Sequence, residues 1–134
     1  MGDTPIEGQQ IDAKDCKKGV FIMVEGIPCR VTNLQIAKTG KHGHSKARVD
    51  AEGIFDGKKR VFILPGHDKV FSPNVDKREG QILSIEGDNA QVMDTKTYET
   101  FYSKILSDIK DTVKDGQECE YWVVAGQTVV MAVH

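Results

Sequence analysis

The hydrophobic positions along the chain fall in short runs of β-branched and aromatic residues separated by glycine-containing turns, and helical periodicity is scarce. VFIMV at 20–24 and the stretch 27–36 flank Glu25-Gly26, which predicts a hairpin with a two-residue turn. Residues 46–55 and 59–64 flank Asp56-Gly57, a second hairpin signal of the same kind, because both turn positions tolerate positive φ. Between these hairpins lies AKTGKHGHSK at 37–46, with almost no apolar content and two glycines, so it is expected to be an exposed tip. Leu64-Pro65-Gly66 is read as the close of the last strand of this half.

After Val70 the β pattern returns without any repeat of the sequence, so two domains are expected, 1–70 and 71–134. The second offers five strand candidates at 81–85, 90–93, 98–102, 120–124 and 128–133, with turns at Glu86-Gly87-Asp88, at 94–97 and at Ala125-Gly126. One helix is predicted over 108–114: Ser107 stands at the cap position, Ile109 and Val113 lie on one face, and Gly116 stops it. Five short strands with a helix between the third and fourth is the plan of the OB barrel, and barrel closure removes the exposed edges that short strands otherwise present. The fold class read here is therefore all-β, two small barrels with one short helix in the second.

Charge sharpens the division. The net charge of −2 over 134 residues conceals +3 on residues 1–70 and −5 on residues 71–134. In the basic half, Lys38, Lys46 and Arg48 belong to a run with no carboxylate between Glu25 and Asp50, and Lys58, Lys59 and Arg60 follow; together they form the expected RNA-binding face. The aromatic residues of the acidic half, Tyr98, Phe101, Tyr102, Tyr121 and Trp122, are read mostly as core. Cys16, Cys29 and Cys119 are too widely spaced for a zinc or redox pair and are expected as free, packed thiols. No apolar run approaches membrane-spanning length and the N-terminus has no secretory pattern, so a soluble, cytoplasmic protein without a membrane partner is expected.

The tip does not assemble a catalytic site on spacing alone. Gly40-Lys41 lacks the upstream glycine and the following Ser or Thr of a phosphate-binding P-loop, since Gln35 and His42 occupy those places. His42 and His44, with His67 or Cys29 as a third ligand, would make a poor metal site: the tip has no carboxylate, and four cations crowd it. Ser45 beside His44 has no orienting carboxylate. What remains is Lys41, bracketed by Gly40 and Gly43 and so approachable by another surface. The neighbouring cations Lys38, Lys46 and Arg48 disfavour one more positive charge there, which favours the neutral, nucleophilic amine.

KTGKHGHSK at 38–46, followed by ARVDAEGIFDGKKR, resembles the hypusine loop of the translation initiation factor 5A family, whose bacterial relative is elongation factor P. KKGVFIMVEGIPCRV, SPNVDKREGQILSIEGDNAQVMD, TYETFYSKI and ECEYWV extend the resemblance over nearly the whole chain, with the archaeal members the nearer match. Ala37 stands where many members have Ser, and Ser45 where many have Ala. The resemblance implies an SH3-like barrel followed by an OB barrel. It also implies a non-enzymatic factor that binds the ribosome beside the peptidyl tRNA and promotes peptide bond formation, for example at stalled proline runs. Lys41 is then the residue that deoxyhypusine synthase converts to deoxyhypusine, which a separate hydroxylation carries on to hypusine, supported by Lys38, Thr39, Gly40, His42, Gly43 and His44. Spermidine supplies the added group and NAD serves only the synthase, so the chain itself needs no cofactor and no metal; a monomer is expected. The alternative is a general RNA-binding module or RNA chaperone without a modified lysine.

Overall fold

The computed structural model describes residues 6–39 and 44–134. It is built from strands joined by turns, with two short 3₁₀ segments. The chain divides into two compact units, Met1–Asn74 and Val75–His134.

The first unit carries six strands: β1 (Gly8–Asp12), β2 (Phe21–Val24), β3 (Ile27–Thr39), β4 (His44–Gly53), β5 (Lys59–Pro65) and β6 (Lys69–Pro73). β2, β3, β4 and β5 form an antiparallel meander, and β1 pairs with β6 as a separate ribbon, which gives the SH3-like arrangement. Alternation decides the faces. Along β4, Ala47, Val49 and Ala51 are buried while Lys46 and Arg48 point outward, so one side of the sheet closes over Ile22, Cys29, Val31 and Val70. Val31 and Leu34 are three apart and would fall on opposite faces of a regular strand. A bulge at Thr32 resets the phase, leaving Val31 opposite Ala51 and Asn33 opposite Asp50, so that Leu34 also packs on the core.

The turn at Glu25-Gly26 forms as expected, with both residues at positive φ (51° and 79°), the backbone of a tight hairpin. The second hairpin differs from the expectation. β4 ends at Gly53, and Ile54 to Lys58 make a longer connection in which the N–H of Gly57 donates to the carbonyl of Gly53 (3.0 Å). Only Gly57 has positive φ (67°); Asp56 acts through its side chain instead, accepting the Lys58 N–H at 2.9 Å. The chain also continues past Gly66 into β6, whose Val70 pairs with Ile11 of β1, so the first unit closes after Asn74 rather than at Val70.

The second unit is a closed barrel of β7 (Val75–Glu86), β8 (Asn89–Asp94), β9 (Thr100–Ile105), β10 (Glu118–Val124) and β11 (Gln127–Val133), in the order β10-β11-β9-β8-β7. Its one parallel pairing, β11 on β9, together with β7 on β10 closes the ring in the OB order. Ile82, Ala90, Val92, Ile105, Cys119, Tyr121 and Val130 fill it. The expected α-helix is a 3₁₀ segment, Ser107–Thr112, with Leu106 rather than Ser107 at its cap position and no side-chain cap. The physical reason lies at Val113: it leaves the segment in extended conformation (φ −81°, ψ 133°) and is buried there, which a continuing helix would forbid. With one apolar position and several weak helix formers, SDIKDT has little else to hold an α-helix. Among the described residues no helix is long and apolar enough to cross a membrane.

Candidate functional site

The β3–β4 hairpin is paired from Cys29–Gly53 out to Thr39–His44. Gly40, Lys41, His42 and Gly43 lie outside the described residues, as do the side chains of Thr39 and His44. The described flanks of the sequence motif lie at the hairpin's outer end, with Lys38 opposite Ser45 and Ala37 opposite Lys46. Residues 35–38 are exposed, Ile36 among them at 47%, because β3 runs on beyond the core that its inner half covers.

At the root of this end the backbone is held from the side. The Gly66 N–H donates to the Ser45 carbonyl (2.8 Å), and the Gly66 carbonyl accepts from Lys14 (3.1 Å). A β-carbon on Gly66 would stand 2.5 Å from Ser45 Oγ, so any larger residue here requires the serine hydroxyl to move. His67, next in the chain, is exposed, whereas Cys29, the other ligand weighed for a metal, is buried in the sheet core, with its thiol pushed up by desolvation.

The six cations expected on an RNA face do not lie together. Lys38, Lys46 and Arg48 are exposed on the outer half of the hairpin. Arg48 Nε is 3.4 Å from Asp50 Oδ1, an ion-pair contact without hydrogen-bond alignment. Lys58, Lys59 and Arg60 sit at the other end of the sheet, where Lys59 is paired with Glu52; from Lys46 to Glu52 is about 20 Å of strand. Arg60 is already engaged. Its Nη1 and Nη2 donate to the two carboxylate oxygens of Asp56 (3.2 and 2.8 Å), and Nη1 also reaches the Lys58 carbonyl (3.2 Å). The guanidinium, with help from the Lys58 N–H, holds the Asp56 carboxyl down at about 2. Arg60 is thus the clamp of the β4–β5 connection, a role visible in sequence only as an acid four residues before an arginine.

Two features escaped the sequence. Val61 and Ile63 are exposed on β5 (55% and 62%), interleaved with the half-buried Phe62 and Leu64. In the second unit, Tyr98 and Tyr102 are exposed (71% and 62%) rather than core, Tyr102 by alternation on β9 and Tyr98 in the turn before it. Tyr121 and Phe101 do pack inside, ring centroids 4.8 Å apart, while Trp122 lies half-buried under the Lys77 ammonium at 4.6 Å.

Residues 7–67 match the model of the translation initiation factor 5A-like N-terminal domain. The chain is 38% identical over 137 residues to the translation initiation factor 5A of Thermococcus gammatolerans, covering 99% of this chain and 98% of the relative. It is 41% identical over 123 residues to that of Natronomonas pharaonis, covering 92% and 98%. Among solved structures, the eukaryotic translation initiation factor 5A from Methanococcus jannaschii superposes with a TM-score of 0.83 at 38% identity, over 98% of each chain. A family protein from Naegleria fowleri, 24% identical with a TM-score of 0.67 over 94% of this chain and 97% of its own, shares the fold. Matched along both of its units by relatives at this level of identity, the chain belongs to the translation initiation factor 5A family and is a translation factor.

Proposed function

We propose that this protein is a cytoplasmic, non-enzymatic factor that binds the ribosome beside the peptidyl tRNA and promotes peptide bond formation through a deoxyhypusine or hypusine side chain on Lys41. The observation that carries the reading is the glycine-bracketed KTGKHGHSK motif, whose described flanks pair along a hairpin that extends past its own core. An aminobutyl extension lengthens the lysine arm and adds a cation, and the exposed Lys38, Lys46 and Arg48 supply phosphate contacts around it. A donor held beside a strained substrate lowers the barrier by positioning. Deoxyhypusine synthase is the partner that installs the group from spermidine, using its own NAD.

The test is peptide formation through a proline run on purified ribosomes, comparing modified wild type with Lys41→Ala and Lys41→Arg. Both variants are expected to fail equally, because arginine keeps the charge but cannot accept the aminobutyl group. Near wild-type activity from Lys41→Arg would instead favour a plain RNA-binding module, in which Lys41 is one phosphate contact among several. Intact mass of protein from its native host should show the added group on Lys41.

A further inference from the structure

A cleft of about 580 Å³ opens in the second unit between the first half of β7 and the turn that joins β8 to β9. Asp76, Lys77, Arg78 and Glu79 line one side, and Asp94, Lys96 and Thr97 the other. It is distinct from the loops at Gly87-Asp88 and Ala125-Gly126, which are the two that OB barrels use for oligonucleotides.

The turn beside the cleft is fixed by one carboxylate. Asp94 Oδ1 accepts the N–H groups of Lys96 (2.7 Å) and Thr97 (2.9 Å), and Oδ2 accepts the Tyr121 hydroxyl. The Asp94 carbonyl takes the Tyr98 N–H at 2.9 Å, and its own N–H donates to the Glu99 carbonyl at 2.9 Å. Held by these bonds, Tyr98 sits at φ 61°, a region that costs a residue with a β-carbon. Its ring gains no burial in return, since it is 71% exposed. The strained turn leaves an aromatic ring exposed on the residue that follows Thr97 of the cleft wall, although Tyr98 is not itself a lining residue.

The charges of the cleft are unequally committed. Asp94 is saturated by protein donors, Arg78 Nε and Nη2 both donate to Asp76 Oδ2 (2.9 and 2.7 Å), and Lys77 covers Trp122. Among the described residues, Lys96 and Glu79 have no ion-pair partner. A free ammonium, a free carboxylate and an exposed flat ring together suit a ligand that carries an anion, hydroxyl donors and a π face. Free phosphate has no π face, and an acidic aliphatic peptide has neither a π face nor a vicinal pair of hydroxyls for the carboxylate.

We propose that this cleft binds one ribonucleotide of single-stranded RNA, with the base stacked on Tyr98, the phosphate at Lys96 and the ribose hydroxyls at Glu79. Stacking on an aromatic ring is tolerant of base identity, and a 2′-hydroxyl contact selects RNA over DNA. The inference is independent of Lys41 and needs no modified side chain.

The test uses the full, unmodified chain labelled with ¹⁵N and titrated with adenosine 5′-monophosphate, its 2′-deoxy analogue and inorganic phosphate, with a short oligoadenylate followed by fluorescence anisotropy. The ribonucleotide should move the amides of Glu79, Lys96, Thr97 and Tyr98, and the deoxy form should bind several-fold more weakly. Tyr98→Gly separates a binding role from a structural one: glycine relaxes the positive φ, so the melting temperature should rise, while affinity for the oligoadenylate should fall roughly fivefold or more. Lys96→Glu should weaken binding without unfolding the barrel. Equal binding of the deoxy form, the same amide shifts with phosphate alone, or undiminished affinity in Tyr98→Gly would each overturn the proposal. So would amide shifts at these positions with a proline-rich peptide and none with the nucleotide, which would make the cleft a protein-binding site.

Discussion

The hydroxyl of Tyr121 donates a 2.5 Å hydrogen bond to Asp94 Oδ2 inside the second barrel, joining β10 to the end of β8. Both residues are buried, and the pair responds as a unit: the Tyr121 hydroxyl and the Thr97 N–H hold the Asp94 carboxyl at about 2, while burial and then Asp94 push the Tyr121 phenol up to about 12. Tyr121→Phe keeps the ring against Phe101 but leaves a buried carboxylate short of a donor, so it is expected to destabilise this unit by about 2 kcal/mol. Denaturant unfolding of the full chain at pH 7 checks it.

The same pair sets an acid limit. A carboxylate held below its unfolded value stabilises the fold above about pH 4 and loses that contribution as pH falls toward 2. Wild type should therefore lose stability across that window. Asp94→Asn, already uncharged, should begin less stable and show a flatter acid limb in a pH series of melting curves.

Near the outer end of the β3–β4 hairpin, Gly66→Ala should cost about 1–3 kcal/mol, because the new methyl group overlaps Ser45 Oγ. Ser45→Ala removes that oxygen and leaves the carbonyl 3.5 Å away, so the double variant should recover much of the loss. Melting temperatures of the two singles and the double form the cycle that decides it. Strict additivity would mean that the two residues do not meet.

The uneven placement of the cations predicts unequal effects on RNA affinity. Lys46→Ala should lower the salt dependence of binding to single-stranded RNA by a slope of about 0.7, the loss of one phosphate contact. Arg60→Ala should leave the slope almost unchanged and instead loosen the β4–β5 connection that Asp56 and Arg60 clamp. A salt titration of each variant distinguishes them.

Thiol chemistry offers a further check on packing. Cys16 and Cys119 are fully enclosed, and burial lifts both to about 11, so neither should be alkylated in the native protein at pH 8. Mass spectrometry after brief iodoacetamide treatment should find labelling only once denaturant is added.

The hairpin turns were legible because Glu25-Gly26 and Ala125-Gly126 place a glycine where positive φ is required, and both appear at those positions. The five barrel strands were legible through alternation and glycine punctuation, down to the turn at Gly87, but 81–85 missed the first half of β7 and 98–102 began in the turn before β9. β1 and β6 were not, since GQQID has little apolar signal and its partner lies far along the chain, Gly8 opposite Pro73. Nor was the strained backbone of Tyr98, because the bonds that enforce it come from Asp94, whose own geometry depends on Tyr121 across the barrel. The pairing of Arg60 was hidden for a similar reason: a sequence displays a charge but not the carboxylate already holding it. The family motif at 38–46 was the clearest signal of all, and it is a matter of residue identity rather than of any pattern that packing imposes.

Thr32 gives the β3–β4 hairpin an elbow. Its bulge keeps Leu34 on the core side, and a bulge also bends the strand and tightens its twist, so the outer arm leaves the sheet in a direction chosen at Thr32 and at Asp50, whose carbonyl accepts the Thr32 hydroxyl. From there to Thr39 is about 23 Å of strand, and each change of about 10° in the bend swings the far end by about 4 Å. Deleting Thr32 would leave every later side chain on its present face and every charge in place. It would nonetheless re-aim Lys38 and Lys46 together, which makes an uncharged, exposed residue partway along β3 the one that sets where the arm points.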